Sequence, residues 1–377
     1  MIRNLIDPKK LDYFTFYDHP ENDTCWSLAM GADKKVYIGL CVEYTSGGIA
    51  QLYNFDTKKE KLNHILDISE ITGDYPESGR APQGKIHFSL CPASDLKIYG
   101  STHLTTPPKG EKFWHPYAMM NDGYKYFKGA YLYYYDSTND DIECFGIVAP
   151  RQGLPLMILD ENSGRFFGIT YPLSHLITFD MKGRNLIDLG KVSEHYPLSM
   201  VHYNEENIFF SDYYGRIVRI NPKTLKITFT DTFLSHPKWS DGRLFGMMCD
   251  SALGPDKKVY CGGYLNTRIM RFWLEKDKVI LEDLGYPLEE KIEGNPIRIV
   301  SFVFDKSGNL YHILATDQGS YMMSYNIKDN IINNHGLIIK DNINATGWRA
   351  VIDDKDRIYF ADIANIPVNL WRFNPNG

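Results

Sequence analysis

Two histidines flank a predicted β-hairpin in the first third of the chain. The turn of this hairpin is Ala93-Ser94-Asp95-Leu96, and with its centre near Asp95, His87 and His103 lie at equal distances on either side. Residues that oppose each other in an antiparallel hairpin have a constant sum of positions, so the two imidazoles are predicted to face each other. Because histidine gains and loses a proton near neutral pH, such a pair is suited to acid–base catalysis.

Further polar side chains fall at the same end of the strands when the other predicted hairpins are folded back in this way. They are Tyr171 in the third hairpin, Tyr213 and Tyr214 in the fourth, Tyr264 in the fifth, Arg298 opposite Asp317 in the sixth, and Arg349 near Asp362 in the seventh. Tyrosine can serve as an acid, and arginine binds a carboxylate through two parallel hydrogen bonds. The whole set suits acid–base work on an anionic sugar.

β-Elimination next to a uronic acid needs this combination of groups. One group takes the C5 proton, another protonates the departing O4, and a cation or strong donor neutralises the carboxylate so that the C5 proton becomes acidic. Alternatives stay open for the individual residues. Each histidine or tyrosine could be a packing residue, Arg349 could stack on Trp348 or pair with Asp362, and two facing histidines could share a metal ion.

A long insertion follows His103 and covers about residues 104–128. Loops of this length in a compact repeat are usually functional or disordered, and the aromatic content of this one argues against disorder. Trp114 and His115 lie within it, and we expect them to contact substrate, with attachment of the insertion to its blade as the alternative. His175 and His195, by contrast, are interpreted as surface or packing residues.

The elements that would position these residues are short strands in a repeated pattern. A basic or small residue, an aliphatic and an aromatic follow a polar turn about seven times, as in Lys35-Val36-Tyr37 and Arg357-Ile358-Tyr359. Repeats of about 40–50 residues with several strands each are typical of β-propeller blades. We therefore predict an all-β, seven-bladed β-propeller that forms a single domain over residues 1–377. The strand Tyr13–Tyr17 is predicted to pair with the last blade and close the ring.

Composition excludes several classes of function. The net charge of -6 gives no basic surface for nucleic acid, and no run of basic or apolar residues indicates a membrane. The six cysteines have no metal-ligand spacing, so buried free thiols are expected, with a disulfide between Cys25 and Cys41 as the alternative. We expect no cofactor, although a bound divalent cation stays an alternative. The first residues do not resemble a signal peptide, which predicts a cytoplasmic protein, or a secreted or periplasmic one if a signal peptide has been removed.

Two segments resemble a specific group of propellers. Gln83-Gly84-Lys85-Ile86-His87 with Lys97–His103 resembles the second blade of the ulvan-lyase-like propellers and of their relatives, the rhamnose–glucuronic acid lyases and rhamnosidases, and Gly168–Pro172 resembles their third. The resemblance implies an acid–base role for His87 and His103 and an assisting role for Tyr171. This chain has Gly129-Ala130-Tyr131 where relatives tend to have Gly-Gly-His, and Pro197-Leu198-Ser199 where an arginine is often seen. The carboxylate would then need Arg349, Arg298 or Arg216.

The sequence thus predicts a carbohydrate-active enzyme, a lyase that cleaves an acidic oligosaccharide next to a uronic acid. His87, His103 and Tyr171 are the predicted catalytic residues. The predicted substrate-binding residues are Arg349, Arg298, Trp114, His115, Tyr131, Tyr214 and Tyr264. The alternatives are a rhamnosidase-like hydrolase on the same scaffold and a non-catalytic propeller that binds sugar or protein.

Overall fold

The computed structural model describes residues 4–111, 122–235, 246–288 and 291–377. Trp114 and His115 lie outside the described residues. The described chain consists almost wholly of β-strands, and they form seven four-stranded antiparallel sheets, each built largely from consecutive strands. This arrangement is that of a seven-bladed β-propeller, and it confirms the predicted fold.

The N-terminal strand β1 (Leu11–Thr15) begins two residues before its predicted start and belongs to the last sheet, whose order is β1-β30-β29-β28. The predicted closure by this strand is therefore confirmed. Its sheet contains β28 (Gly347–Ile352), β29 (Ile358–Asp362) and β30 (Asn369–Phe373). Lys340 and Arg372 both pair with Asp12 in β1 and help to hold it in place.

The chain separates into two compact units, and each is described by itself. The N-terminal unit comprises Phe14–Tyr196 and Ile363–Asn369. Its first sheet contains β2 (Thr24–Met30), β3 (Val36–Cys41), β4 (Gln51–Asp56) and β5 (Lys61–Asp67). Its second contains β6 (Cys91–Pro92), β7 (Lys97–Ser101), β8 (Gly129–Asp136) and β9 (Asp141–Pro150). Its third contains β10 (Gly153–Asp160), β11 (Arg165–Tyr171), β12 (His175–Asp180) and β13 (Ile187–Lys191). The short helix α1 (Ile68–Thr72) and a 3₁₀ turn (Pro76–Ser78) lie between the first two sheets in sequence.

The C-terminal unit comprises Met1–Tyr13, Pro197–Asp362 and Leu370–Gly377. A 3₁₀ turn (Pro8–Lys10) precedes β1. The next sheets contain β14 (Met200–Asn204), β15 (Asn207–Ser211), β16 (Arg216–Ile220) and β17 (Ile227–Phe233), then β18 (Met248–Leu253), β19 (Val259–Gly263), β20 (Ile269–Glu275) and β21 (Lys278–Gly285). The following sheet contains β22 (Pro296–Phe304), β23 (Asn309–Thr316), β24 (Gly319–Asn326) and β25 (Ile331–Leu337), and a small hairpin contains β26 (Ile339–Lys340) and β27 (Ile343–Asn344).

The repeated sequence phrase marks the second strand of each sheet, and this strand is largely buried. Every residue of β3, β15, β19 and β29 is buried, because these strands are covered on both faces. The aromatic residue of the phrase also fixes the preceding turn. The hydroxyl of Tyr37 donates to Asp33 at 2.9 Å, and that of Tyr260 donates to Asp256 at 3.0 Å. The phrase therefore recurs because each turn needs a side-chain acceptor and each strand needs a buried ring.

All six cysteines are free thiols, as expected. Cys25 pairs with Leu40 and Cys41 pairs with Thr24 in the β2–β3 ladder, so the two are not directly opposite, and the alternative of a disulfide between them is wrong. Within the described ranges, no helix approaches the length and apolar character of a membrane span.

Candidate active site

His103 is held where the second sheet of the N-terminal unit meets the third. It follows β7, and its backbone N–H donates to the carbonyl of Lys85 at 2.8 Å, within an isolated β-bridge between these two residues. Gly153, at the start of β10, approaches the ring so closely that a Cβ there would lie 2.2 Å from Nδ1 of His103. The same glycine pairs with Tyr171, the last residue of β11. Two neighbouring sheets thus bring the histidine and the tyrosine together.

Five rings form an imidazole–phenol cluster at this place: His87, His103, Tyr171, His195 and Tyr196. The His103 ring centre lies 5.3 Å from Tyr171 and 5.6 Å from His87. Tyr196 lies 5.4 Å from Tyr171 and stacks on His195 at 4.4 Å. Most of these contacts are edge-to-face, which is a favourable arrangement for neighbouring aromatic rings.

His87 does not take the position that the constant-sum rule predicts. The residue that bridges to His103 is Lys85, because β6 contains only Cys91 and Pro92 and the chain before it leaves the ladder. The His87 side chain is 1% exposed, donates from Nδ1 to the carbonyl of Pro155 at 3.1 Å and stacks on Trp26 at 5.2 Å. The rings of His87 and His103 are close, but His87 lies behind the surface that a ligand would reach.

The cluster opens onto a cavity of about 210 Å³, called here the His103 cavity. Its lining is Glu43, Lys85, His103, Leu104, Thr105, Tyr171, His195 and Tyr196. Lys85 is the cation of this surface and is only 4% exposed; its ammonium lies 3.2 Å from Glu43 and 4.5 Å above the Trp26 ring. Trp26 also donates from Nε1 to Glu43 at 2.8 Å. The cavity therefore combines a paired cation with imidazole and phenol groups.

Both lining histidines are held in the neutral form at neutral pH. Burial lowers the pKa of His103 well below its ordinary 6.5, and the nearby Lys85 and His195 lower it further. Burial also lowers the pKa of His195, although the bond from its Nδ1 to the Tyr196 carbonyl partly opposes this. Nδ1 of His103 is enclosed and has no hydrogen-bond partner among the described residues. A neutral imidazole in a polar cavity can accept a proton.

The other predicted site residues lie elsewhere. Tyr131 belongs to the N-terminal unit, but it lies in β8 outside the cavity lining, and burial raises its pKa to about 12. Arg298, Arg349, Tyr214 and Tyr264 belong to the C-terminal unit. Tyr214 is exposed and packs edge-to-face on Tyr213.

Both arginine pairings predicted from the hairpins are wrong. Arg298 pairs with Ala315 in the β22–β23 ladder, whose register shifts between Val300 and Val303 on the turn side of Arg298. Asp317 instead accepts hydrogen bonds from Asn295. Arg349 pairs with Asp250 at 2.5 Å and donates to the Leu198 carbonyl at 2.9 Å. Asp362 instead accepts from the backbone N–H of Thr346 and from Trp371 Nε1.

Four lining residues with ionisable side chains were not predicted: Glu43, Lys85, His195 and Tyr196. His195 was interpreted as a surface or packing residue, whereas it lines the cavity. Lys85 lies two residues before His87, a spacing that could have marked it, since alternate residues of an extended segment share a face. His195 and Tyr196 follow β13 in a connecting segment without periodicity, so no signal in the sequence marks them. His175 does lie at the surface, as interpreted, where it bonds Asp188 at 2.8 Å.

In the part of the chain that the structure describes, no group of three His, Cys, Asp or Glu side chains is placed to hold a metal ion. The His103 cavity contains imidazoles that can accept a proton, phenols that can donate one, and an ammonium group paired with a carboxylate.

Solved structures with similar folds include two lyases. Streptogramin B lyase superimposes with a TM-score of 0.61 at 11% identity, over 97% of each chain. Virginiamycin B lyase from Staphylococcus aureus gives 0.60 at 13% identity, over 97% of this chain and 99% of that one. The extracellular domain of a putative one-component system from B. thetaiotaomicron gives 0.58 at 14% identity, over 97% of this chain and 40% of that one.

At these identities the likeness shows the fold alone. No family model matches the sequence, and no curated protein matches it either. The seven-bladed propeller implied by the family resemblance is confirmed, but the similar structures named here are not polysaccharide lyases and give no support to the ulvan-lyase-like group.

Proposed function

We propose that this protein is a carbon–oxygen lyase that cleaves an acidic oligosaccharide by β-elimination next to a uronic acid. The observation that carries the proposal is the pairing of His103 with Tyr171, whose rings lie 5.3 Å apart on the wall of one cavity. A neutral imidazole and a phenol at this separation can act on two adjacent carbons of a sugar ring, as β-elimination requires.

In the proposed reaction His103 takes the C5 proton of the uronic acid. The electron pair of the broken C–H bond forms the C4–C5 double bond, and the C4–O4 bond breaks. Tyr171 gives its hydroxyl proton to the departing O4. The lowered pKa of His103 supports its part, because an imidazole must be unprotonated to act as a base.

The uronate carboxylate would bind Lys85. An ammonium has three N–H donors, and the contact with Glu43 occupies one direction around it. Positive charge near the carboxylate stabilises the negative charge that develops as the C5 proton leaves. His87 takes a supporting role in this scheme, since it is enclosed between Trp26 and Pro155 and packs against the His103 ring.

To test the proposal, the protein is incubated with uronic-acid polymers, namely ulvan, gum arabic side chains and pectic fragments. The absorbance of the unsaturated uronate product then measures turnover. We expect the His103→Asn variant to lose turnover by about 10²–10⁴-fold, the usual contribution of a general base. His175→Gln is the matched control, because His175 lies in the same unit and bonds Asp188 at the surface; its turnover should stay within about twofold.

Two outcomes would contradict the lyase. Release of rhamnose without new absorbance would place the protein among the hydrolases, and full turnover by His103→Asn would remove the mechanism. Since every step uses a side chain of the protein, we also expect EDTA to leave turnover unchanged.

A non-catalytic sugar-binding propeller is the second candidate. Two contacts favour it: His87 is capped by a backbone carbonyl, and Lys85 is already paired with Glu43. Such contacts are typical of polar side chains that stabilise the fold and take no part in a reaction. Binding of a uronide without any turnover, and loss of that binding in Lys85→Met, would favour this candidate.

A further inference from the structure

Within the described residues, Arg298 differs from the other arginines of the C-terminal unit in having no carboxylate partner. The described arginines of that unit are Arg216, Arg219, Arg268, Arg271, Arg298, Arg349, Arg357 and Arg372. All of them except Arg298 have a carboxylate oxygen within 4.0 Å, for example Asp283 beside Arg268 at 2.7 Å. Pairing is thus the rule in this unit, and Arg298 is the exception among its described arginines.

Because Arg298 is half-buried, the lack of a hydrogen-bond partner in the described part of the chain costs folding free energy. The residue is half-buried in β22, and its Nε is enclosed without a hydrogen-bond partner in the described ranges. A buried polar group in a folded protein nearly always has a partner, so an unsatisfied one calls for an explanation. A ligand that completes the hydrogen bonding of the guanidinium is one such explanation.

The surroundings of Arg298 hold the group in place without neutralising it. Its guanidinium carbon lies 4.3 Å above the Trp348 ring, and Trp348 is 6.4 Å from the ring of Tyr264. The ring below the guanidinium leaves the in-plane N–H donors for another group, and the two terminal nitrogens are not among the enclosed atoms that lack a partner in the described ranges. Burial raises the pKa of Tyr264 and the positive charge of Arg298 opposes that rise, so the two side chains are near each other and the phenol offers a further hydrogen-bonding group.

The nearby carboxylate Asp250 is already used. One of its oxygens pairs with Arg349, and its carboxylate accepts the backbone N–H groups of Ser251, Ser301 and Phe302 at 2.9–3.1 Å. Burial raises the pKa of the Cys249 thiol, and the positive charges of Arg298 and Arg349 both oppose that rise. The two cations therefore lie in one neighbourhood with Asp250. Among the described residues, this neighbourhood thus contains two guanidinium groups and one carboxylate.

We propose that Arg298, over Trp348 and beside Tyr264, is an oxyanion-binding site for the carboxylate or phosphate group of a small ligand. The planar guanidinium is the side chain that best matches these groups, and its aromatic support fixes its orientation in advance. The site is independent of the proposed lyase reaction.

Calorimetric titration of the full chain with sodium glucuronate, inorganic phosphate and uncharged glucose tests the proposal. We expect one or both anions to bind and glucose to give no signal at Arg298. Binding of glucuronate alone, if Arg298→Gln weakens it and Lys85→Met does not, assigns a carboxylate ligand, and binding of phosphate alone assigns a phosphate ligand. Absence of binding by both anions at millimolar concentration would overturn the site.

Variants locate the binding. Arg298→Gln keeps much of the side-chain volume but removes the charge. It should lower the affinity for the anion by about tenfold or more, which is the contribution of one charged hydrogen bond. Arg268→Gln removes an exposed arginine that is paired with Asp283 and should change binding less than about twofold. Equal affinity in wild type and Arg298→Gln would overturn the assignment.

Two further measurements guard against a misfolded variant and against confusion with the His103 cavity. Anion binding should change the tryptophan fluorescence of the wild type, and Trp348→Phe should remove most of that change. His103→Asn should bind the anion as the wild type does, even if its turnover is lost, so failure of one proposal is distinguishable from failure of the other.

Discussion

Each unit of the protein places a cation over a tryptophan ring, and two of these pairs, Lys85 with Trp26 and Arg298 with Trp348, differ in what neutralises the charge. In the N-terminal unit Lys85 lies 4.5 Å above Trp26 and 3.2 Å from Glu43. In the C-terminal unit Arg298 lies 4.3 Å above Trp348, and within the described chain no carboxylate accompanies it. The aromatic support is alike, so the carboxylate is the difference.

That difference separates two uses of a buried positive charge. A cation that keeps its own carboxylate contributes to the fold, and a ligand can use only its remaining donors. A cation without one has donors that only solvent or a ligand can satisfy. We therefore expect the Lys85 pair to affect stability most strongly, and Arg298 to affect binding most strongly.

The largest expected effect on stability comes from removing Glu43. Glu43→Ala leaves the Lys85 ammonium, which is 4% exposed, without its counter-charge and removes the acceptor of Trp26 Nε1. Breaking a buried pair from one side costs about 3–5 kcal/mol, and the partial exposure of Glu43 favours the lower end, about 3 kcal/mol. Urea unfolding measures this loss directly.

Arg298→Gln is the comparison variant, because it removes a cation that already lacks a carboxylate. We expect it to change the free energy of unfolding by less than about 1 kcal/mol. The double variant Glu43→Ala with Lys85→Met should recover much of the lost stability, since it leaves no unpaired charge. If Glu43→Ala cost no more than Arg298→Gln, the contrast between the two cations would fail.

A smaller loss of stability is expected from changing Gly153, whose backbone packs against His103 in the N-terminal unit. In Gly153→Ala the new Cβ would lie 2.2 Å from His103 Nδ1 and 2.8 Å from the backbone nitrogen of Leu104. Relief of such overpacking typically costs about 1–3 kcal/mol and moves the imidazole, so both stability and the proposed turnover should fall. Gly123→Ala is the control, because a Cβ there meets nothing within 4 Å. Unchanged turnover in Gly153→Ala would show that His103 needs no such placement.

The fold could be predicted because its determinants are local and repeated. Each turn supplies a polar acceptor and each second strand a buried aromatic, as Asp33 and Tyr37 do in the first sheet. Strand alternation and turn chemistry are visible within a few residues of sequence. The pairing of β1 with β30 is a long-range feature, yet it followed from the count of strands in the last blade.

The site could be predicted only in part, because its geometry depends on irregularities. The rule of constant sums fails where the chain leaves the ladder before β6 and where the β22–β23 register shifts between Val300 and Val303. His103 and Tyr171 lie together in the wall of one cavity in spite of these irregularities. His87 does not pair with His103 in the ladder, and the two predicted arginine pairings are not found. Glu43 follows β3 and Lys85 precedes β6, so the two are far apart in the sequence and no local pattern relates them.

The smallest expected effect is on the pH dependence of stability, where the two units should behave alike. Burial lowers the pKa of His103 in the N-terminal unit, and it lowers the pKa of His312 in the C-terminal unit to about 3. Below the unfolded pKa of 6.5, and above the folded one, the unfolded chain binds more protons than the native one. Stability must therefore fall as the pH falls through this window.

One such histidine contributes a slope of at most about 1.4 kcal/mol per pH unit. His103→Asn and His312→Asn should each flatten the curve of unfolding free energy between pH 6.5 and 5.5 by about 1 kcal/mol, whatever their effect at pH 7.5. A variant that kept the wild-type slope would mean that its imidazole is protonated in the native state. For His103 that result would also remove the base of the proposed elimination, whereas for His312 it would leave the mechanism untouched. The pH series thus tests the chemistry of one unit with the other as its internal reference.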